Sequence, residues 1–197
     1  METVLTTLDP GMKSFLAEEG ITELHVENAD QDLIGVVADA FSRTNLFVAP
    51  RRLELSQEGS RPLVHGEPLA SEACEMKIAI ASETTKFKEN DAILVFQPFL
   101  GEFGDRVYTA TKVVLNAKGK NFEAIGQLLA VDKDVLSLLK KRSESLPENE
   151  YGVGIRAAIA EKNPDAEFGW SKENAPYGEA ELVELAILDV ARQLQKM

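Results

Sequence analysis

The stretch Ala92-Ile93-Leu94-Val95-Phe96 decides the fold class that this sequence predicts. An uninterrupted apolar run of this length is typical of a strand that is buried on both faces. The segment 106–115, RVYTATKVVL, alternates β-branched with other residues and indicates a second, longer strand. The link between the two segments is short and contains glycine, so it favours an antiparallel connection, because a parallel crossover needs about a dozen residues or more.

Flanking segments extend this sheet. Met76, Ile78 and Ile80 alternate with lysine or alanine, which predicts a further strand over 76–81. Shorter strands are predicted at 21–26, 46–48 and 53–55. The predicted fold is therefore α+β, with a mainly antiparallel central sheet built from about residues 76–115 plus N-terminal strands.

Helices are predicted to pack on that sheet and to dominate the C-terminal half. Apolar residues recur at helical spacing from Leu33 to Phe41, with Asn28 or Asp30 placed to cap the helix. A second helical region is predicted over 122–142, with a break near 131–134. A third helix is predicted over 179–196, and a fourth is predicted to begin near Ser145, where Ser-x-x-Glu has capping-box spacing.

The chain of 197 residues favours a single α+β domain. Glycines and prolines concentrate in 56–71, which predicts a surface loop and the softest boundary in the chain. No apolar run approaches the roughly 18 residues of a membrane span. The N-terminus opens with an acid and has no basic region typical of a secretory signal. A cytoplasmic protein without membrane contact is therefore expected.

Composition restricts the chemistry that the chain can perform. A lone cysteine, Cys74, excludes an intramolecular disulfide and any zinc site with several cysteines. Glu72 and Glu75 flank it and would raise its pKa, which argues against an activated nucleophile. With 33 acidic against 21 basic residues, the net charge of −12 repels phosphate backbones, so double-stranded DNA is an unexpected partner.

The C-terminal helix carries the main functional prediction. It is apolar around most of its circumference, so it must bury its surface in its own core or against another chain. An aromatic loop precedes it. Together they predict a non-catalytic binding or assembly protein that contacts a protein partner or a second copy of itself. The predicted contact residues are Phe168, Trp170, Tyr177, Leu185 and Ile187.

Two alternatives remain open at this stage. Aromatic and basic residues interleave in the central strands, as in modules that stack single-stranded nucleic acid. The residues that would do so are Lys86, Lys88, Phe99, Phe103, Arg106 and Tyr108. A variant of this class is an acidic nucleic-acid mimic. The other alternative is a carboxylate-based hydrolase, but no spacing selects one pair of acids, so no catalytic residue is predicted.

No cofactor or metal is predicted either. The nearest approach to a metal motif is a run of candidate ligands formed by His25, Glu27, Asp30 and Asp32. It lacks the spacing of a calcium-binding loop. Helix capping accounts for the aspartates without an ion, because aspartate is a preferred N-cap residue.

Overall fold

The computed structural model describes residues 20–21, 23–44, 46, 49–55, 61–84, 88, 90–162 and 179–195. The strands in these ranges are β1 (Glu23–Glu27), β2 (Ala49–Leu53), β3 (Leu63–His65), β4 (Ala92–Phe103), β5 (Arg106–Ala117), β6 (Lys120–Ile125), β7 (Leu129–Ala130) and β8 (Glu150–Tyr151). The helices are α1 (Gln31–Arg43), α2 (Glu67–Ser82), α3 (Lys133–Arg142), α4 (Ile155–Lys162) and α5 (Glu179–Gln195). The strands form one mixed sheet that curls into a half-barrel.

The β4–β5 hairpin is the centre of the sheet. Its strands pair antiparallel without interruption, from Ala92 opposite Ala117 to Phe103 opposite Arg106. Strands β6 and β7 pair antiparallel with successive parts of β5. On the other edge of β4, strands β1 and β3 both run parallel to it, one after the other. Strand β2 extends the sheet parallel to β1, and β8 extends it antiparallel to β3.

The prediction of a mainly antiparallel sheet is wrong, although the α+β class holds. The error begins at Met76, Ile78 and Ile80, which lie in helix α2 and not in a strand. The alternation of apolar residues in this segment suggested a strand. The residues that α2 buries against the sheet are instead small ones, and Met76 is exposed. Helix α2 connects β3 to β4, which allows these two strands to pair in parallel. Helix α1 likewise connects β1 to β2, which also pair in parallel.

Other boundaries also differ from the sequence predictions. The region 122–130 contains parts of β6 and β7 instead of helix, whereas α3 begins at Lys133, within the predicted break. The helix expected from Ser145 begins only at Ile155, and Glu150–Tyr151 forms β8 before it. Within the predicted 56–71 loop, residues 63–65 form β3 and residues 67–71 begin α2; residues 56–60 lie outside the described ranges.

The two faces of the sheet carry different helices. Helices α1 and α5 cover the face formed by Ala92, Leu94, Val113 and Leu115. Helix α2 covers the opposite face, where Ile93, Val95 and Val114 pack against Cys74 and Ala81. Helix α1 begins as predicted, because the side chain of Asp30 accepts a hydrogen bond from Leu33 N.

Helix α5 is central to the core of the chain itself. Its buried residues are Val183, Ala186, Ile187, Leu188, Val190, Ala191 and Leu194. The high apolar content of this helix is therefore explained without a second chain. None of the helices in the described ranges is long and apolar enough to span a membrane.

Candidate functional site at a gap in the sheet

The strand pairing along one edge of β4, the edge that faces β1 and β3, is interrupted. Strand β1 pairs with β4 as far as Leu94, and β3 begins to pair with it at Phe99. Among the described residues, no strand pairs with this edge over residues 95–98. We call these four residues the sheet gap. Backbone polar groups that lose a strand partner inside a fold need another partner, since leaving them unpaired is costly.

Side chains replace the missing strand at the sheet gap. The carboxylate of Glu27 accepts a hydrogen bond from Phe96 N at 3.0 Å. The ammonium group of Lys77 donates to Phe96 O and forms an ion pair with Glu27 at 2.9 Å. Pro98 has no N–H group to satisfy, which suits it to an unpaired edge. The backbone of β4 at Phe96 is thus satisfied by a partly buried pair of charges.

Gln97 lies at the middle of the sheet gap and is fully buried. Its Nε2 group donates to Arg61 O at 2.8 Å and to Pro98 O at 3.0 Å, so the amide donors are satisfied. Its Oε1 atom is buried and has no hydrogen-bond partner among the described residues. A buried amide oxygen without a partner is rare in folded proteins and is a place where a ligand donor group would be stabilising.

Lys112 is the cross-strand neighbour of Gln97 on β5 and is 4% exposed. Its ammonium group contacts Glu67, at the start of α2, at 2.8 Å and Glu123, on β6, at 2.7 Å. Burial alone would lower the pKa of Lys112, but the hydrogen bonds to Glu123 and Glu67 outweigh it and raise that pKa. Lys112 therefore stays charged beneath two carboxylates that are about half exposed.

Cys74 lies close to both of these groups of charges. Its thiol is completely buried on α2, within electrostatic reach of the Lys77–Glu27 pair and of Lys112 with Glu123. Burial raises the pKa of Cys74 to about 12, so the thiol is neutral at ordinary pH. The expectation that this cysteine is not an activated nucleophile agrees with that direction, although burial and not the neighbouring glutamates is the main cause.

The sheet gap lies between two parallel strands that share one edge of β4. Strand β1 leads into α1 on one face of the sheet, whereas β3 leads into α2 on the other. Glu27 is the last residue of β1 and Leu63 is the first residue of β3. The gap therefore separates the carboxyl end of one strand from the amino end of the next.

The candidate metal ligands predicted from the sequence do not come together. Glu27 pairs with Lys77, Asp30 caps α1, and Asp32 lies exposed in the first turn of that helix. His25 faces the opposite end of β1, where its Nε2 atom lies 3.0 Å from Asp91 Oδ2 and 3.8 Å from Glu23 Oε2. The acids next to His25 are therefore Asp91 and Glu23, not the three that the sequence analysis grouped with it.

The predicted protein-contact residues fall into three situations. Leu185 is 63% exposed on α5, and Ile187 is fully buried in the core two residues later. Phe168, Trp170 and Tyr177 lie outside the described residues. The described part of the predicted surface therefore reduces to one exposed leucine.

The residues predicted to stack nucleic acid do not form one surface. Phe99 is buried, Tyr108 is partly buried, and Phe103 and Arg106 are exposed at the end of the β4–β5 hairpin. Lys88 precedes the opposite end of β4, and a twelve-residue strand spans roughly 40 Å. Lys86 lies outside the described residues.

Sequence reasoning missed Gln97, Glu67, Lys77 and Glu123 as members of a site. The available indication was Gln97-Pro98 directly after a continuous apolar strand, since neither residue suits a central strand buried on both faces. The charged residues of the site come from four other elements, β1, α2, β5 and β6, so no local spacing could have assembled them.

Comparison with known proteins adds information on the fold. No protein-family model matches the chain, and no curated protein matches its sequence. The chain is similar in structure to protein VC0702 from Vibrio cholerae, a crystal structure, with a TM-score of 0.62. The match covers 89% of this chain and 91% of that one at 10% sequence identity. A likeness at this identity concerns the fold alone.

Proposed function

We propose that the protein binds a small polar ligand at the sheet gap, through the side-chain oxygen of Gln97. The buried Oε1 atom, which has no hydrogen-bond partner in the described part of the chain, is the observation that carries this proposal. An amide oxygen accepts hydrogen bonds, so the ligand presents an N–H or O–H donor to it. The likeness to VC0702 contributes nothing to the choice of ligand.

Charge narrows the class of ligand further. Glu27, Glu67 and Glu123 place three carboxylates around the gap, whereas Lys77 and Lys112 supply two ammonium groups. The remaining negative charge favours a neutral or cationic donor, such as an amide or an amine, over an anion. Glu67 and Glu123 are about half exposed and are the members of this group that face solvent most.

A thermal-shift panel tests this proposal. Amines, amides and nucleobases form one arm of the panel, and phosphate and simple carboxylates form the other. We expect members of the first arm to raise the Tm of the wild type and of Gln127→Met, a control at an exposed glutamine. The same compounds should leave Gln97→Met unchanged. Stabilisation by anions alone, or equal shifts in both variants, would contradict the proposal.

Assembly through α5 is a second candidate function, and the exposure of Leu185 is the observation that favours it. Leu185→Asp should stay folded, because its side chain already faces solvent, and should become monomeric if it lies at an interface. Ile187→Asp should unfold the chain, since it places a charge in the core. Light scattering in line with size exclusion, at two protein concentrations, distinguishes these results. An unchanged monomer for both wild type and Leu185→Asp removes the assembly candidate.

A further inference from the structure

The amino end of β1 carries a second cluster of buried polar side chains, separate from the sheet gap. His25 and Asp91 are 5% and 4% exposed, and Glu23 lies beside them, two residues before His25 on the same face of the strand. One ligand atom from each of these three residues lies within 4.8 Å of the other two.

The spacing within this cluster suits a metal ion. Zinc binds nitrogen and oxygen ligands at about 2.0–2.2 Å, which places neighbouring ligands of a tetrahedron about 3.4 Å apart. The distances from His25 Nε2 are 3.0 Å to Asp91 Oδ2 and 3.8 Å to Glu23 Oε2, on either side of that value. Only small side-chain movements are needed for all three atoms to reach one ion.

The charge of the cluster also favours a bound cation. The carboxylates of Asp91 and Glu23 both lie within 3.8 Å of His25 Nε2. Arg51, which is largely exposed, forms an ion pair with Glu23 at 3.2 Å. Asp91 also accepts a hydrogen bond from Lys88 N at 2.9 Å, which fixes its carboxylate. Two carboxylates, of which that of Asp91 is buried, therefore lie close to one imidazole nitrogen and would attract a cation placed between them.

We propose that Glu23, His25 and Asp91 form a binding site for a divalent transition-metal ion, with Zn²⁺ as the expected occupant. His25 Nε2 and one oxygen from each carboxylate are the protein ligands, and water completes the tetrahedron. One imidazole with two carboxylates favours Zn²⁺ over Mn²⁺, and Mn²⁺ over Mg²⁺. Because the site joins β1 to the start of β4, the bound ion stabilises the fold.

Calorimetric titration of the chelator-treated, tag-free protein with Zn²⁺ tests this site. The chain has two histidines, so His65→Gln is a matched control for His25→Gln. We expect one ion per chain in the wild type and in His65→Gln, with a raised Tm in both. His25→Gln and Glu23→Gln should bind at least about tenfold more weakly, as loss of a ligand requires.

Two further measurements keep the test decisive. Glu23 is about a quarter exposed, so Glu23→Gln should fold even if His25→Gln does not. Co²⁺ bound to the wild type should show the intense visible absorption of a tetrahedral site, and this absorption should disappear in Glu23→Gln. Equal Zn²⁺ affinity in all variants, loss of binding in His65→Gln, or no binding by the wild type would overturn the proposal.

Discussion

The two edges of strand β4 are hydrogen-bonded in different ways. Backbone groups of β5 pair with one edge along its whole length, whereas side chains supply the hydrogen-bond partners along part of the opposite edge. On the β5 edge the pairing is continuous from Ala92 to Phe103, and the residues from Ala92 to Val95 and their partners on β5 are mostly apolar. On the other edge, β1 and β3 leave the sheet gap between them, and Glu27, Lys77 and Gln97 fill it. A break in backbone pairing therefore explains why charged and polar side chains are buried in the middle of this sheet.

The first way to sharpen this comparison is to truncate an apolar side chain beside the gap. Phe99 is buried where β3 resumes pairing, against Val64, Ala70 and Ala110. Phe99→Ala should lower the free energy of unfolding by about 3–5 kcal/mol, as for other core phenylalanines. Phe103→Ala, at the exposed hairpin end, should change it by less than about 0.5 kcal/mol. Urea unfolding compares the two, and equal losses would mean that Phe99 is not a core residue.

A smaller effect is expected from the charges that fill the gap. Glu27→Ala removes the acceptor of Phe96 N and leaves Lys77 without its carboxylate, which should cost about 2–3 kcal/mol. Lys77→Met removes the donor to Phe96 O and the ion pair with Glu27, but it should cost less than Glu27→Ala because Phe96 N keeps its acceptor and an unpaired carbonyl is tolerated better than an unpaired N–H group. The double variant should lose less than the sum of the two single variants, since the pair is coupled. Additive losses in urea unfolding would show that the two side chains do not act as a pair.

The smallest effect concerns Cys74 and appears only at high pH. Burial raises the pKa of its thiol to about 12 in the folded chain, against 9.0 for an ordinary thiol. The stabilising contribution is fully present below about pH 9 and is lost as the pH rises towards 12, because the unfolded chain ionises first. Wild type should therefore lose more stability than Cys74→Ala between about pH 8 and pH 10. Equal losses in urea unfolding would contradict the burial of the thiol.

The elements predicted correctly are those whose pattern is local. Helices α1 and α5 follow from apolar spacing, and the Asp30 cap follows from its position. Strands β4 and β5 follow from apolar and β-branched runs. Helix α2 was missed because the residues that it packs against the sheet are mostly alanines, which give little periodic signal.

The candidate site could not be assembled from the sequence for a different reason. Gln97 and Lys112 become neighbours through strand pairing, and Glu27 reaches Phe96 across 69 positions of the chain. His25 was identified as a candidate ligand, but its partner Asp91 lies 66 positions away. The contacts of Glu27 and His25 depend on the parallel pairing of β1 with β4, which the prediction of a mainly antiparallel sheet did not anticipate. Gln97 and Lys112 meet across the antiparallel β4–β5 pair, but the exact register of that pair was not predicted.

The central claim is that the Gln97 oxygen receives a ligand donor at the sheet gap. A crystal structure of the protein with the most stabilising compound of the thermal-shift panel tests it directly. We expect a donor atom of that compound to lie about 3 Å from Gln97 Oε1, with the hydrogen bonds of Gln97 Nε2 retained. Electron density for the compound elsewhere, with Gln97 Oε1 unchanged, would contradict it.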